Sequence, residues 1–387
     1  MEYLMNTYAR LPVSLVKGKG CWVWDDTGKT YLDLVAGIAV VNLGHCHPEV
    51  VKALKFQAGL LFHCSNLYRI PAQETLAKLL VENSFPGKVF FCNSGAEANE
   101  GAIKLIRRAC YAKGKRGSTI ITFKGSFHGR TLATVAATGQ DKFKLGYDPI
   151  PAGFKSVAYG DIDALKGAID KSVGAVMLEP IQGESGINSP PPGFLQKVRK
   201  LCDKHGLLLA LDEVQTGLCR TGRMFAYMHE EVTPDIMTMA KALANGFPAG
   251  AIIARPEIAG AFEPGSHAST FGGNPLAMAA GIATITTMRT KDMAGKSMTR
   301  GVYFRKRLSE LKALHPGIKD IRGKGLMIGV EFEPAVGFLT KSGLEKGILL
   351  NVIKDHVLRL VPPLTISIKE IDQAVEIIDT MLKEKGL

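Results

Sequence analysis

The sequence predicts an α/β protein: a mostly parallel sheet covered by helices, followed by a smaller α+β unit. Three observations carry that expectation. Short apolar runs bounded by turn residues, such as Leu207–Leu211 and Ile236–Ala240, read as strands buried on both faces of a parallel sheet. Stretches with apolar residues three and four apart separate those runs. Two runs also end in a charge: Leu207-Leu-Leu-Ala-Leu211 delivers Asp212, and Ile236-Met-Thr-Met-Ala240 delivers Lys241. Ligands of such sheets bind at the strands' carboxyl ends, so an acid and an amine stand where chemistry usually sits. For either residue alone, a charge that merely caps a strand is the plainer account.

The elements follow in order. Cys21–Trp24 and Thr30–Leu34 flank the turn sequence Asp25-Asp-Thr-Gly28 and read as a structural hairpin. Val50, Val51, Leu54, Ala58 and Leu61 have helical spacing from Pro48 onward. His63–Tyr68 reads as a loop and Pro71–Glu82 as a second helix. Strands and helices then alternate. Val89–Cys92 precedes a helix over Ala96–Ala112, Thr119–Phe123 precedes a glycine-rich turn with Arg130, and Ala175–Leu178 leads into Glu179–Glu184. A helix over Phe194–His205 returns to the Leu207 strand, and strands at Ile236 and Ala249–Ala254 follow. Beyond Asn274 a long helix runs to Met288. Strands near Gly325–Glu331, Ile348–Val352 and Val357–Val361 complete the smaller unit. The expected division is an N-terminal segment 1–47 joining the small domain, a large domain 48–275, and a connecting helix with the small domain over 276–387.

Composition limits the functions. At 387 residues about two structural units are expected. With 46% hydrophobic and 22% charged residues, the composition is that of a soluble globular protein. No apolar run approaches the ~18–20 residues that span a bilayer. The opening MEYLMNTYARLPVSLVKGKG has no apolar core behind a basic head, so no secretory signal is expected. Seven cysteines without framework spacing fit a reducing cytoplasm. Gly44-His-Cys-His-Pro48 has the residue types of a metal site but no second ligand pair at metal spacing. It is read as a turn, and no metal is expected. The net charge of +12 raises the question of nucleic acid. The basic residues are scattered, however, and the densest cluster, Lys113–Arg116, reads as a helix end. Without a basic and aromatic stripe, small anionic ligands explain the charge better.

Two further motifs give the charged strand ends a purpose. Asn93-Ser-Gly-Ala-Glu97 follows a strand and opens a helix. Ser94 can cap it with Glu97 in a capping-box pattern, and Gly95 lets an anion such as phosphate approach the exposed amides. Gly125-Ser-Phe-His-Gly-Arg130 places Phe127, which can stack on a planar ring, beside Arg130, which can grip a carboxylate. A rim acid, an amine, a phosphate cradle and a stacking ring match the needs of pyridoxal phosphate. A lysine bonds its aldehyde, and an acid keeps the ring nitrogen protonated. The G-x-G-x-x-G of a nicotinamide site is absent after the first strand, as is a Walker P-loop.

With these residues assembled, the chain resembles the class III aminotransferases, pyridoxal-phosphate enzymes of fold type I. The resemblance rests on Gly37-Ile-Ala-Val40, Leu43-Gly-His-Cys-His-Pro48, Ser65-Asn-Leu67, Asn93–Glu100, Phe127-His-Gly-Arg-Thr131 and Glu179-Pro-Ile-Gln-Gly-Glu184. It continues through Leu211-Asp-Glu-Val-Gln-Thr-Gly217, Ala240-Lys241, Ser269-Thr-Phe-Gly-Gly-Asn-Pro275 and Leu358-Arg-Leu-Val-Pro-Pro-Leu364. Ten stretches in register span nearly the whole chain. The resemblance implies a mostly parallel seven-stranded sheet in the large domain.

It also implies roles. Lys241 would be the Schiff-base lysine and proton shuttle, and Asp212 the partner of the pyridine nitrogen. Gln215 would reach the ring hydroxyl, with Val214 and Phe127 on the ring faces and Glu213 among the cofactor contacts. Ser94, Gly95 and Ala96 would hold the phosphate. Thr270 would reach it from the neighbouring subunit, which implies a homodimer with shared sites. Arg130 would take the carboxylate far from the reacting amine, and Ser269 would lie beside the substrate. Arg359 would bind the α-carboxylate of glutamate, with Glu184 as its switchable partner. The pairing has a physical logic: an ω-amine leaves Arg359 without a carboxylate, and a buried unpaired charge is costly unless Glu184 neutralises it.

Within the class the match is nearest to acetylornithine aminotransferases. That implies ping-pong transfer of the δ-amino group of N2-acetyl-L-ornithine to 2-oxoglutarate, in arginine biosynthesis. Succinylornithine, ornithine, 4-aminobutyrate, diaminopimelate or a carrier-bound lysine precursor remain open as donors. Arg130 suits any donor with a distal carboxylate. The chain departs from the family at Cys219, where glycine is usual, and at Ala242-Leu-Ala-Asn245, where a glycine run is usual.

Overall fold

Three sheets organise the computed structural model, which describes residues 3–114 and 118–387. The N-terminal sheet holds β1 (Leu15–Lys19), β2 (Trp22–Asp25) and β3 (Thr30–Asp33). The central sheet holds β4 (Lys88–Cys92), β5 (Thr119–Phe123), β6 (Phe154–Val157), β7 (Val173–Leu178), β8 (Leu208–Asp212), β9 (Ile236–Met239) and β10 (Gly250–Ala254). Strands β11 (Ile318–Lys324), β12 (Met327–Phe332), β13 (Ile348–Leu349), β14 (Asn351–Ile353) and β15 (Val357–Leu360) follow. Of these, β13 joins the N-terminal sheet beside β3, and the other four form the third sheet in the order β11-β12-β15-β14.

The central sheet runs β4-β10-β9-β8-β7-β5-β6, and only β10 is antiparallel to its neighbours. The seven-stranded, mostly parallel sheet is therefore present. Its inner strands β5, β7, β8, β9 and β10 are buried along their whole length, which explains their continuous apolar runs. The exception at β10 matters for function. An antiparallel neighbour needs no crossover helix, so residues 240–249 fold back directly over the end of β9. That short return contains Lys241. The carboxyl ends of β4, β5, β7, β8 and β9 consequently share one edge, and each delivers part of the site described below.

Several elements depart from the sequence expectation. Strand β1 is mostly exposed and carries Lys17, Gly18 and Lys19, and β11 reads IKDIRGK, so neither has the alternation of a half-buried strand. Strand β6 is a four-residue edge. The stretch Ile348–Val352 reads as one strand but splits at Leu350. Its first part pairs with β3, and its second pairs with β15. Lys113 caps the helix Gly95–Ala112, as expected of the basic cluster, whereas Lys115 and Arg116 lie outside the described residues. In the Gly44–Pro48 turn, the His45 Nε2 atom sits 2.7 Å from the Asp33 carboxylate. Among the described residues no helix is long and apolar enough to cross a membrane.

One buried side chain ties the parts together. The guanidinium of Arg220 donates to the carbonyls of Leu326 (2.9 Å) and Pro362 (2.6 Å) and to the Asn42 amide oxygen. Burial pushes its pKa down to about 9. Arg220→Ala leaves three buried acceptors without a donor. Denaturant titration is expected to show a loss of about 3 kcal/mol or more.

Candidate active site

A cavity of about 350 Å³ opens at the shared strand edge. Ser94, Gly95, Ala96, Phe127, Arg130, Glu184, Asp212, Val214, Gln215 and Lys241 all line it. Residues nearly 150 positions apart meet because the strand ends do.

The end of β4 supplies the helix start. Ser94 is the N-cap, and its hydroxyl accepts from the Glu97 N–H at 3.2 Å. The return bond differs from the usual capping box. The Glu97 carboxylate takes the N–H of Asn93 (3.0 Å) and the Ser94 hydroxyl (3.0 Å). The first-turn amides of Gly95 and Ala96 have no carbonyl partner within the helix, and the helix dipole makes this end attractive to an anion. Gly95 is required by packing: a Cβ there would stand 2.8 Å from Val214 Cγ1.

Asp212, at the end of β8, is held by three donors. The Val214 N–H reaches Oδ1 at 3.0 Å, and the Asn99 amide reaches Oδ2 at 2.8 Å. The His128 Nδ1 atom lies 2.7 Å from Oδ2. Asn99 also donates to the His128 carbonyl (2.7 Å) and accepts from the Thr238 hydroxyl (2.7 Å). Burial opposes charge on His128, but the Asp212 hydrogen bond and charge outweigh it, and the His128 pKa is raised. The other ring nitrogen of His128 is buried and has no hydrogen-bond partner among the described residues.

Lys241 has a left-handed backbone, φ +42°, and its amine stands 3.9 Å from the Glu184 carboxylate. Burial dominates its electrostatics and, despite the opposing Glu184 charge, brings its pKa down to about 8. A neutral amine is the nucleophilic form, so capture of an aldehyde should rise with pH through about 8 and then level off. An exposed lysine would need a pH above ~10. The rate of cofactor uptake by the apoprotein, measured against pH, checks this.

The predicted pair is formed. Arg359 Nη1 donates to Glu184 Oε1 at 2.7 Å, and the Gln215 amide donates to the same oxygen at 3.0 Å. Burial alone would raise the Glu184 pKa, but the charges of Arg359 and Lys241 and these hydrogen bonds outweigh it and lower it. Arg130 contrasts with Arg359. Its guanidinium lies 4.0 Å from the Phe143 ring centroid and 5.4 Å from that of Phe127. It makes no salt bridge among the described residues, so the cavity holds a cation ready for an anionic ligand.

Three expected contacts stand elsewhere in this chain. Glu213 does not line the cavity. Its buried carboxylate bonds the Thr216 hydroxyl and accepts the Tyr227 N–H at 2.9 Å, and burial raises its pKa to about 7. Side chains alternate at the end of a strand, so the neighbour of an inward Asp212 points away. Ser269 and Thr270 line a separate groove with His63, Asn66 and Gly272. The Ser269 hydroxyl nevertheless lies 3.3 Å from the Asn93 amide, at the cavity's border.

Sequence reasoning gave no role to Asn99, His128, Thr238 or Glu179. Glu179 follows β7 and lines the cavity, and its carboxylate accepts the N–H groups of Phe127 (2.9 Å) and Gly183 (3.2 Å). It thereby joins the turn bearing Phe127 to the turn bearing Glu184. Burial raises its pKa to about 7. The available signal was position: Glu179 and His128 follow strands, and Asn99 is a polar residue on the buried face of its helix.

The two family departures sit in left-handed backbone. Cys219 has φ +69°, where glycine costs least, and Asn245 has φ +46°. Asparagine tolerates this region, and Asn245 uses its side chain to accept the Leu43 N–H (2.8 Å) and donate to the Gly44 carbonyl (3.0 Å).

Comparison with known proteins agrees with this geometry. Residues 3–382 match the family described as aminotransferase class-III. The acetylornithine aminotransferase of Caldanaerobacter subterraneus subsp. tengcongensis is 54% identical over 386 residues, which is 99% of this chain and 98% of that protein. The crystal structure of acetylornithine aminotransferase from Elizabethkingia anophelis aligns with a TM-score of 0.89 at 33% identity, covering 99% of this chain and 96% of that one. Ornithine aminotransferase from Toxoplasma gondii, in a structure with partial occupancy of pyridoxal phosphate at its active site, aligns with a TM-score of 0.94 at 35% identity. It covers 98% of this chain and 91% of that one. The chain belongs to the class-III aminotransferase family.

Proposed function

We propose that this protein is a pyridoxal-phosphate-dependent acetylornithine aminotransferase, moving the δ-amino group of N2-acetyl-L-ornithine to 2-oxoglutarate in arginine biosynthesis. The observation that carries the reading is the capped arginine. Arg359 is buried and paired at 2.7 Å with Glu184, a carboxylate that also faces Lys241. A ping-pong aminotransferase using an ω-amine and then an α-amino acid needs an α-carboxylate site that can be closed for the first and opened for the second.

The residues fit the cofactor. The unused amides of Gly95 and Ala96, with Ser94, suit its phosphate. Phe127 and Val214 offer apolar surfaces to the ring, Asp212 suits its protonated nitrogen, and the buried Gln215 Oε1, without a partner among the described residues, suits its hydroxyl. When bound, the cofactor supplies an electron sink for the carbanion formed at the amine-bearing carbon. The chain supplies the rest. Lys241 Nζ would hold the aldehyde carbon and is the group that would move a proton at the reacting carbon. Arg130 orients the donor through its distal carboxylate, and Glu184 keeps Arg359 neutralised while that donor is bound.

We further assign residues 48–275 to cofactor binding, with 1–47 and 276–387 contributing the small domain. A homodimer is supported by exposed Phe62, Leu67, Tyr68 and Phe271 around the groove holding Ser269 and Thr270. A partner copy would bring Thr270 to the phosphate and Ser269 to the substrate. The seven free cysteines favour a reducing cytoplasm. The test is a donor panel with 2-oxoglutarate. N2-acetylornithine should exceed free ornithine and 4-aminobutyrate in kcat/KM by about tenfold or more, the value of one well-used acyl contact. A preference for free ornithine overturns the choice of donor.

A further inference from the structure

Arg359 carries five N–H donors in a fixed fork, so what holds the fork still is as important as what it binds. Three contacts are made. Nε donates to Asn351 Oδ1 at 3.0 Å, and Nη1 donates to Glu184 Oε1 at 2.7 Å and to the Gly183 carbonyl at 3.4 Å. The alternating reaction must remove only one of them, Glu184. The Gly183 contact is long and sits beside the moving residue. Among the described residues, Asn351 is therefore the only close partner of the guanidinium that is independent of the Glu184 turn.

The backbone explains why Asn351 can do this. It faces Arg359 directly in the β14–β15 register, so the two side chains share one face of the third sheet. It is also the first residue after the break at Leu350, where the chain leaves β3 for β15. Its position is thus pinned from two sheets. A carboxamide accepts from Nε without neutralising the arginine, which leaves the cation available for an incoming carboxylate.

We propose that Asn351 is a positioning residue for Arg359: it fixes the guanidinium through Nε, so that the terminal nitrogens face an α-carboxylate when Glu184 withdraws. The proposal rests on the reading of Arg359 as the α-carboxylate site. It makes Asn351 matter to one half of the reaction only. The donor half-reaction runs with Arg359 capped by Glu184 and does not use the fork.

The experiment follows each half-reaction separately by absorbance in the cofactor-loaded enzyme, for Asn351→Leu and Asn351→Asp. Asn351→Leu should raise KM for glutamate about tenfold or more, the weight of a hydrogen bond to a charged group, with kcat changed less than about threefold. Asn351→Asp keeps the acceptor but adds a permanent counter-charge, and should also raise KM for glutamate. In both, the acetylornithine half-reaction should stay near wild type, which also reports that the enzyme is folded and loaded. Equal losses in the two half-reactions, or an unchanged KM for glutamate in Asn351→Leu, overturn the proposal. Arg359→Lys separates the two readings. If it cripples the glutamate half-reaction while Asn351→Leu does not, only the role of Asn351 falls. If it leaves that half-reaction intact, the assignment of Arg359 falls and the proposal with it.

Discussion

Lys241→Ala is expected to lower transamination by at least about 10⁴-fold, because one side chain holds two tasks. On the proposed function it would hold the cofactor's aldehyde and would also move a proton at the reacting carbon; general acid–base catalysis alone is worth about 10²–10⁴-fold. The structure shows how the chain prepares the amine. Burial at the end of β9 brings its pKa down to about 8, and Glu184, 3.9 Å away, is the counter-charge when it is protonated. Among the described residues no second lysine lines the cavity. Steady-state assays on the purified variant check the loss. Addition of a small primary amine should restore part of the proton-transfer rate, because the cavity that Lys241 vacates is lined and open.

Asp212→Asn is expected to cost about 10³-fold in kcat and to weaken cofactor binding. The substitution preserves shape and removes charge. It thereby isolates the electrostatic part of the role, and interactions of this kind are commonly worth about 10²–10³-fold. Three donors converge on this carboxylate, from Val214, Asn99 and His128. An amide in its place sets an NH2 donor either against the Val214 N–H at the Oδ1 position or against both Asn99 and His128 at the Oδ2 position, so part of the loss should appear as a lower cofactor affinity. Titrating the apoprotein with pyridoxal phosphate separates that part from the loss in turnover. A variant that binds the cofactor normally and turns over at the wild-type rate contradicts the assigned role.

The strand ends were legible in the sequence for a physical reason. Strands buried on both faces have little freedom to be anything but apolar, so a charge at the end of such a run marks the sheet edge. Asp212 and Lys241 stand out on that ground, and Ser94 and Phe127 follow strands in the same way. The supporting network was not legible. Asn99, His128, Glu179 and Thr238 come from four elements, and each looks like an ordinary polar residue until the fold brings them around Asp212 and the Phe127 turn. Glu213 shows the converse error. The resemblance implied a cofactor contact there, but strand alternation turns the side chain toward Thr216 and Tyr227. The polar edge strands β1 and β11 escaped notice because nothing buries either of their faces fully. Ser269 and Thr270 illustrate a third limit: they line a groove apart from the cavity within this chain, and only the resemblance, not their own local pattern, ties them to the site.

Borohydride reduction of the purified, cofactor-loaded protein, followed by peptide mapping, tests the account most directly. It predicts a stable phosphopyridoxyl adduct on Lys241, with loss of the visible absorbance and of activity together. An adduct on a different lysine, or none on a protein that retains transaminase activity, would contradict it.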